Sequence, residues 1–318
     1  MPRMMKNLLI NLLITTATLF AAASTQAAGT AHSLDQVPSK FDTPEALAAY
    51  NQDMGNAKES DGFGTRLPPG FTKQAVIAQL APGQNPSRTV LVGVKPWPQR
   101  ANAYVAVVCI ASTDQIAKQD LQFTPPQNCD GYDPSGDSNT PQTQVWLGVF
   151  ERAPDGAPKL IARTENPLDQ GVDWSATDLQ VPDDLDGKSE ENARPEQWLR
   201  FDLAPYQLRA GDYALGVRAG WSVSYSGGGA SYEALYLFRI DGTALRLVFA
   251  QPMTYYSDIA GDWHKDSTRD HDINDGSNTL SVLPTSTAGF HDWQLRERGG
   301  KWRQTFHWST ADGKYVSH

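Results

Sequence analysis

The chain has 318 residues, enough for one large or two modest hydrophobic cores, and carries 36 acidic against 27 basic residues for a formal charge of −9. That acidic excess repels phosphate backbones and no basic stripe interrupts it, which argues against a nucleic-acid partner. Cys109 and Cys129 are its only cysteines, too few for a cysteine zinc site and too far apart for a CxxC redox motif.

The first 27 residues read as a cleavable secretory signal: Arg3 and Lys6 are followed by an apolar run from Leu8 to Ala23 and by the small-residue site Thr25-Gln26-Ala27. The run is short for roughly 30 Å of hydrocarbon and lacks a positive stop-transfer flank, which favours cleavage over anchoring. Removing Arg3 and Lys6 with no acid takes the formal charge to about −11. The expected product is periplasmic or secreted, with no membrane span after signal cleavage. In an oxidising compartment Cys109 and Cys129 should form a disulfide, stabilising the fold by about 3 kcal/mol in the chain-entropy model. Unlinked thiols are the alternative.

Residues 28–87 form an N-terminal segment with a short helix. Asp42-Thr43-Pro44-Glu45 predicts its start, with Asp42 as cap and Glu45 closing a capping box, and the helix runs through Ala46 to Tyr50. Ala75 to Leu80 fits a second short helix or a strand. Residues 88–318 change texture to short β-branched and aromatic runs between turn residues, among them Thr89–Val94, Ala103–Ile110, Val145–Phe150, Tyr213–Arg218 and Ala234–Arg239. The fold class is all-β.

An internal echo runs through this region. A strand, a polar loop, an Asp-Gly hairpin and an Asp-Trp closure occur at about 104–174 (Asp155-Gly156, Asp173-Trp174) and again at about 213–263 (Asp241-Gly242, Asp262-Trp263). Such units predict an antiparallel propeller-like arrangement of β-hairpin repeats. The alternative is an ordinary sandwich with two favoured Asp-Gly turns. Under the repeat, Trp146, Trp174 and Trp263 are structural and Trp221 is the exposed one.

Three loops are predicted. Ser112 to Pro141 holds Cys129 and would be tethered by the disulfide. Trp221 to Tyr232 is rich in Gly and Ser, and its Trp221, Tyr225 and Tyr232 offer rigid contact surface. Asp258 to Asn278 concentrates acids, and Asp270, Asp272, Asn274 and Asp275 before Gly276 resemble a short calcium loop. Ser281 stands where a calcium-loop glutamate would close the site, so a solvated acidic loop is the competing reading. The run Asp183, Asp184 and Asp186-Gly187 reads as acidic surface. Enzyme signatures are thin: no HExxH, no nucleophile elbow, and only Asp262 with His264 as an acid/base pair sharing a strand face.

The stretches Tyr213–Arg218, Ser226–Tyr232 and Leu235–Arg239 resemble exported β-rich proteins of Gram-negative bacteria, and more faintly the periplasmic inhibitors of invertebrate-type lysozymes. The latter resemblance implies a Ser-Gly loop inserted into a muramidase cleft, with Ser226, Gly227 and Tyr232 as inserting residues. The sequence therefore points to an exported non-enzymatic binding protein with Trp221, Tyr225, Ser226, Gly227 and Tyr232 at its site. A protein partner such as a cationic cell-wall hydrolase is the leading ligand, favoured electrostatically by the acidic charge. A glycan, bound or processed through tryptophans and acids, is the alternative. No cofactor is required by the sequence, though calcium is an open reading.

Overall fold

The computed structural model describes residues 29–57, 61–122, 126–133, 140–153, 156–182 and 190–317. The signal at 1–27, the acidic run 183–187 and Asp155 lie outside the described residues. Strands dominate, and all-β holds. They are β1 (Gly29–Ala31), β2 (Thr89–Pro96), β3 (Ala103–Ala111), β4 (Cys129–Asp130), β5 (Thr143–Arg152), β6 (Pro158–Arg163), β7 (Gln197–Asp202), β8 (Gln207–Arg209), β9 (Asp212–Tyr213) and β10 (Leu215–Tyr225). They continue with β11 (Gly228–Asp241), β12 (Ala244–Trp263), β13 (Arg269–Thr287), β14 (Phe290–Glu297), β15 (Arg303–Ser309) and β16 (Lys314–Ser317). Among the described residues three α-helices are interspersed: α1 (Pro44–Asp53), α2 (Lys73–Leu80) and α3 (Asp114–Asp120).

Fourteen strands share one sheet, whose main path runs β16-β15-β14-β13-β12-β11-β10-β7-β4, while β2, β3, β5 and β6 form an arm. The arm rejoins the path where Arg163 of β6 pairs in parallel with Ala244 of β12. The Cys109–Cys129 disulfide, with Cα atoms 6.1 Å apart, ties β3 to β4 at the other margin. The sheet is thus nearly closed and barrel-like. Its hairpins belong to one continuous sheet and do not separate into propeller blades. The two echoed segments also end differently: Trp174 is buried beside an isolated bridge of Val172 to Ala193, whereas Trp263 ends β12 in solvent.

Alternation along the strands explains the layers. In β3, Val105, Val107 and Cys109 face the interior, while Ala106, Val108 and Ile110 pack under α2 through Val76, Ile77 and Leu80. A strand covered on both faces needs the nearly unbroken apolar run seen in the sequence. Each of these helix side chains contributes about 1.5–3 kcal/mol by leaving water. The α2 start is capped by Thr72, which accepts from the Ala75 amide at 3.2 Å.

The cap of α1 is one residue later than the sequence suggests. Thr43, not Asp42, accepts from the Ala46 amide, because Asp275 captures the amides of Asp42 and Thr43 at 2.9 and 2.8 Å and the Thr43 hydroxyl at 2.6 Å. Glu45 closes no capping box; it reaches Arg298 and Ser277. A small core of Val37, Ala46, Tyr50, Tyr256 and Ile273 then fixes α1 against β12 and β13. The predicted loop at Ser112 begins instead with α3, capped by Thr113. Among the described residues no helix is long and apolar enough to cross a membrane.

Candidate functional site

The stretch from Gly220 to Glu233 is a hairpin. β10 and β11 pair along it, with Tyr225 opposite Gly228 and only Ser226-Gly227 in the turn, where Gly227 has φ +92°. Opposed pairs share a face, so Trp221 and Tyr232 point one way and Ser222 with Ser231 the other. The inward pair is buried, at 2% and 0% exposure. Trp174 meets both rings edge-on at 5.4 and 5.8 Å, and the Trp221 indole N–H donates to the Arg194 carbonyl. Trp221 is therefore core, and Tyr232 is not available for insertion. The exchange with Trp263 is complete, since that residue is 68% exposed.

The outward face is short-chained: Gly220, Ser222, Ser224, Gly229 and Ser231. Without bulky side chains here, a cleft of about 920 Å³ opens between the sheet and the end of α1. Its walls carry charge. Arg200 grips Glu233 with two bonds of 2.7 Å, and Asp258 pairs with His271 at 2.7 Å in a buried position. Tyr256 donates to Asp53 at 2.6 Å, and the exposed Trp263 lies at the rim with the Arg269 guanidinium 5.2 Å over its ring.

Burial opposes the charge on Glu233, but the Arg200 and Arg218 guanidiniums outweigh it and hold its pKa below the usual carboxylate range. Asp202 is lowered in the same way: burial opposes ionisation, and Arg218 overcomes it. Asp53 goes the other way, raised by burial and by the Glu233 charge against the Tyr256 hydrogen bond. Burial also pushes the Tyr255 hydroxyl up to about 12.

Of the residues the sequence singled out, Tyr225, Ser226 and Gly227 lie together at the hairpin tip beside the cleft. Tyr225 is 42% exposed, and its hydroxyl donates to the Asp258 carbonyl. The calcium set does not assemble. Its residues lie on β13, where Asp272 accepts from Thr30, Asn274 meets Tyr255 and Gln180, and Asp275 anchors α1. Gly276 makes no bend either: a Cβ there would meet the Tyr255 ring at 2.7 Å, so glycine admits the ring. Asp262 and His264 form no pair, because His264 lies beyond β12 and bonds Asp270 at 2.8 Å.

Sequence reasoning missed Arg200, Glu233, Asp258, His271 and Asp53. They come from five separate elements and share no motif. One signal was present: glycine or serine alternates with apolar or aromatic residues through Gly220-Trp221-Ser222-Val223-Ser224 and Gly229-Ala230-Ser231-Tyr232, the period of strands with one buried and one open face. Compared with models of known protein families, with curated proteins and with solved structures, the chain matches none.

Proposed function

We propose that this chain is an exported, non-enzymatic binding protein that seats a polar glycan in the cleft over β10 and β11. The carrying observation is the combination of a hydroxyl-bearing floor, walls carrying the Arg200–Glu233 and His271–Asp258 pairs, and an exposed Trp263 at the rim. Sugars are held by such pairs of features: ordered polar groups meet hydroxyls, and a flat ring covers an apolar sugar face. The Arg200 pair keeps Glu233 ionised, which suits it to accept hydrogen bonds from sugar hydroxyls. Export rests on the amino-terminal pattern, and the disulfide is consistent with it.

The test is a glycan array, including peptidoglycan fragments, probed with wild type and Ser231→Phe. Retention of one glycan class by wild type and its loss in the variant supports the cleft. Equal retention by both refutes it.

A second reading, inhibition of a cationic cell-wall hydrolase, is favoured by the accessible turn at Ser226-Gly227 with Tyr225 beside it. Tyr225 replaces the buried Tyr232 in that role. Unchanged muramidase binding by a Tyr225→Ala/Ser226→Ala variant would remove the turn from the interface.

A further inference from the structure

We propose that His32, His264 and Asp270 form a binding site for a divalent transition-metal ion of the zinc class. Their donor atoms, two imidazole nitrogens and one carboxylate oxygen, lie within 4.8 Å of one another. His32 Nδ1 and His264 Nε2 each stand 2.8 Å from the same oxygen, Asp270 Oδ1. Two rings therefore converge on one acceptor from different parts of the chain. His32 follows β1, His264 follows β12, and Asp270 is near the start of β13.

The backbone fixes this meeting. β1 pairs with β13 at Thr30–Asp272 and Ala31–His271, and the turn after β12 is closed by the His264 amide donating to the Thr268 carbonyl at 2.8 Å. Asp270 and His271 are neighbours on a strand and point to opposite faces. His271 faces the cleft, so the proposed site lies on the other side of the sheet and does not rest on the glycan reading.

The donor chemistry selects the ion. Zinc bonds imidazole nitrogen at about 2.0–2.1 Å and carboxylate oxygen at about 2.0–2.2 Å, which sets tetrahedral ligand–ligand edges near 3.3 Å. Reaching that edge opens the two 2.8 Å contacts by roughly half an ångström and adjusts the imidazole nitrogens, which lie within 4.8 Å of each other, to the same spacing. The side chains are free to make these shifts, being 71%, 40% and 28% exposed for His32, His264 and Asp270. Calcium and magnesium need six or more oxygens, which the dispersed Asp272, Asn274 and Asp275 do not supply here. Three protein ligands leave a fourth position facing solvent, open to water or to a donor from a partner. A bound ion would clip the N-terminal strand to the β12–β13 turn next to Trp263.

The experiment is calorimetric titration of zinc chloride into the untagged, EDTA-stripped and dialysed chain, repeated with His264→Ala, Asp270→Asn and the control Asp272→Asn. One zinc per chain is expected, unaffected by millimolar calcium. The first two variants should weaken binding by more than ~10-fold, and the control should not. Cobalt(II) should give visible bands of a four-coordinate site that vanish with His32→Ala/His264→Ala. No stoichiometric zinc, or wild-type affinity in that double variant, overturns the proposal. Because zinc is the readout, failure here leaves the array result untouched.

Discussion

Glu233→Gln isolates the charged wall of the cleft. Arg200 donates two bonds of 2.7 Å to this carboxylate, and the two side chains are 31% and 13% exposed. Breaking a fully buried pair costs about 3–5 kcal/mol, and the partial exposure of Arg200 lowers this to about 2 kcal/mol. At roughly 2–4 °C per kcal/mol, Tm falls by about 5 °C. The loss must depend on pH. Glu233 has a lowered folded-state pKa, so its stabilisation is present above the unfolded value of about 4.3 and is lost as pH falls through the lower folded value. Urea unfolding of wild type and variant at pH 7, 5, 4 and 3 reads the difference, in which Asp202 and the other common carboxylates largely cancel. A gap of about 2 kcal/mol at pH 7 should close toward zero at pH 3. A gap that stays constant across this range, or no gap at pH 7, refutes the pairing as the source.

Trp221→Ala should cost about 3–5 kcal/mol in urea unfolding, since it empties a packed core against Trp174. Trp263→Ala should stay within about 0.5 kcal/mol by the same assay. Gly276→Ala drives a methyl into the Tyr255 ring and should destabilise by about 1–3 kcal/mol, seen as a lower unfolding midpoint at unchanged slope. Cys109→Ser/Cys129→Ser, which opens a link between cysteines at a sequence separation of 20, should lose about 3 kcal/mol, as should reduction of the wild-type protein in the same denaturant series.

What was legible in the sequence follows from locality. The all-β class and the helix at Pro44 rest on short-range patterns and turn chemistry, and the disulfide on there being two cysteines. By contrast, Ala75 to Leu80, readable as helix or strand, becomes the helix Lys73–Leu80 only by packing on β3. Glycine and serine between Trp221 and Tyr232 look like loop because both are common in turns, yet here they are the open face of a paired hairpin. The acids of Asp270 to Asp275 look like a cation loop until β1, β12 and α1 supply each with a separate partner. Trp221 and Trp263 change places for the same reason: which tryptophan is buried depends on the sheet's closure, a long-range outcome. The metal-ligand set shares this property, since His32 and Asp270 are 238 residues apart and meet only through the pairing of β1 with β13.

Glycan retention compared among wild type, Ser231→Phe and Trp263→Ala tests the cleft most directly. Wild type should retain a glycan class, and each variant should weaken it by at least ~10-fold, equivalent to about 1.4 kcal/mol, with folding intact by circular dichroism. Undiminished retention by both variants, or no retention of any glycan by wild type, contradicts the cleft as a glycan site.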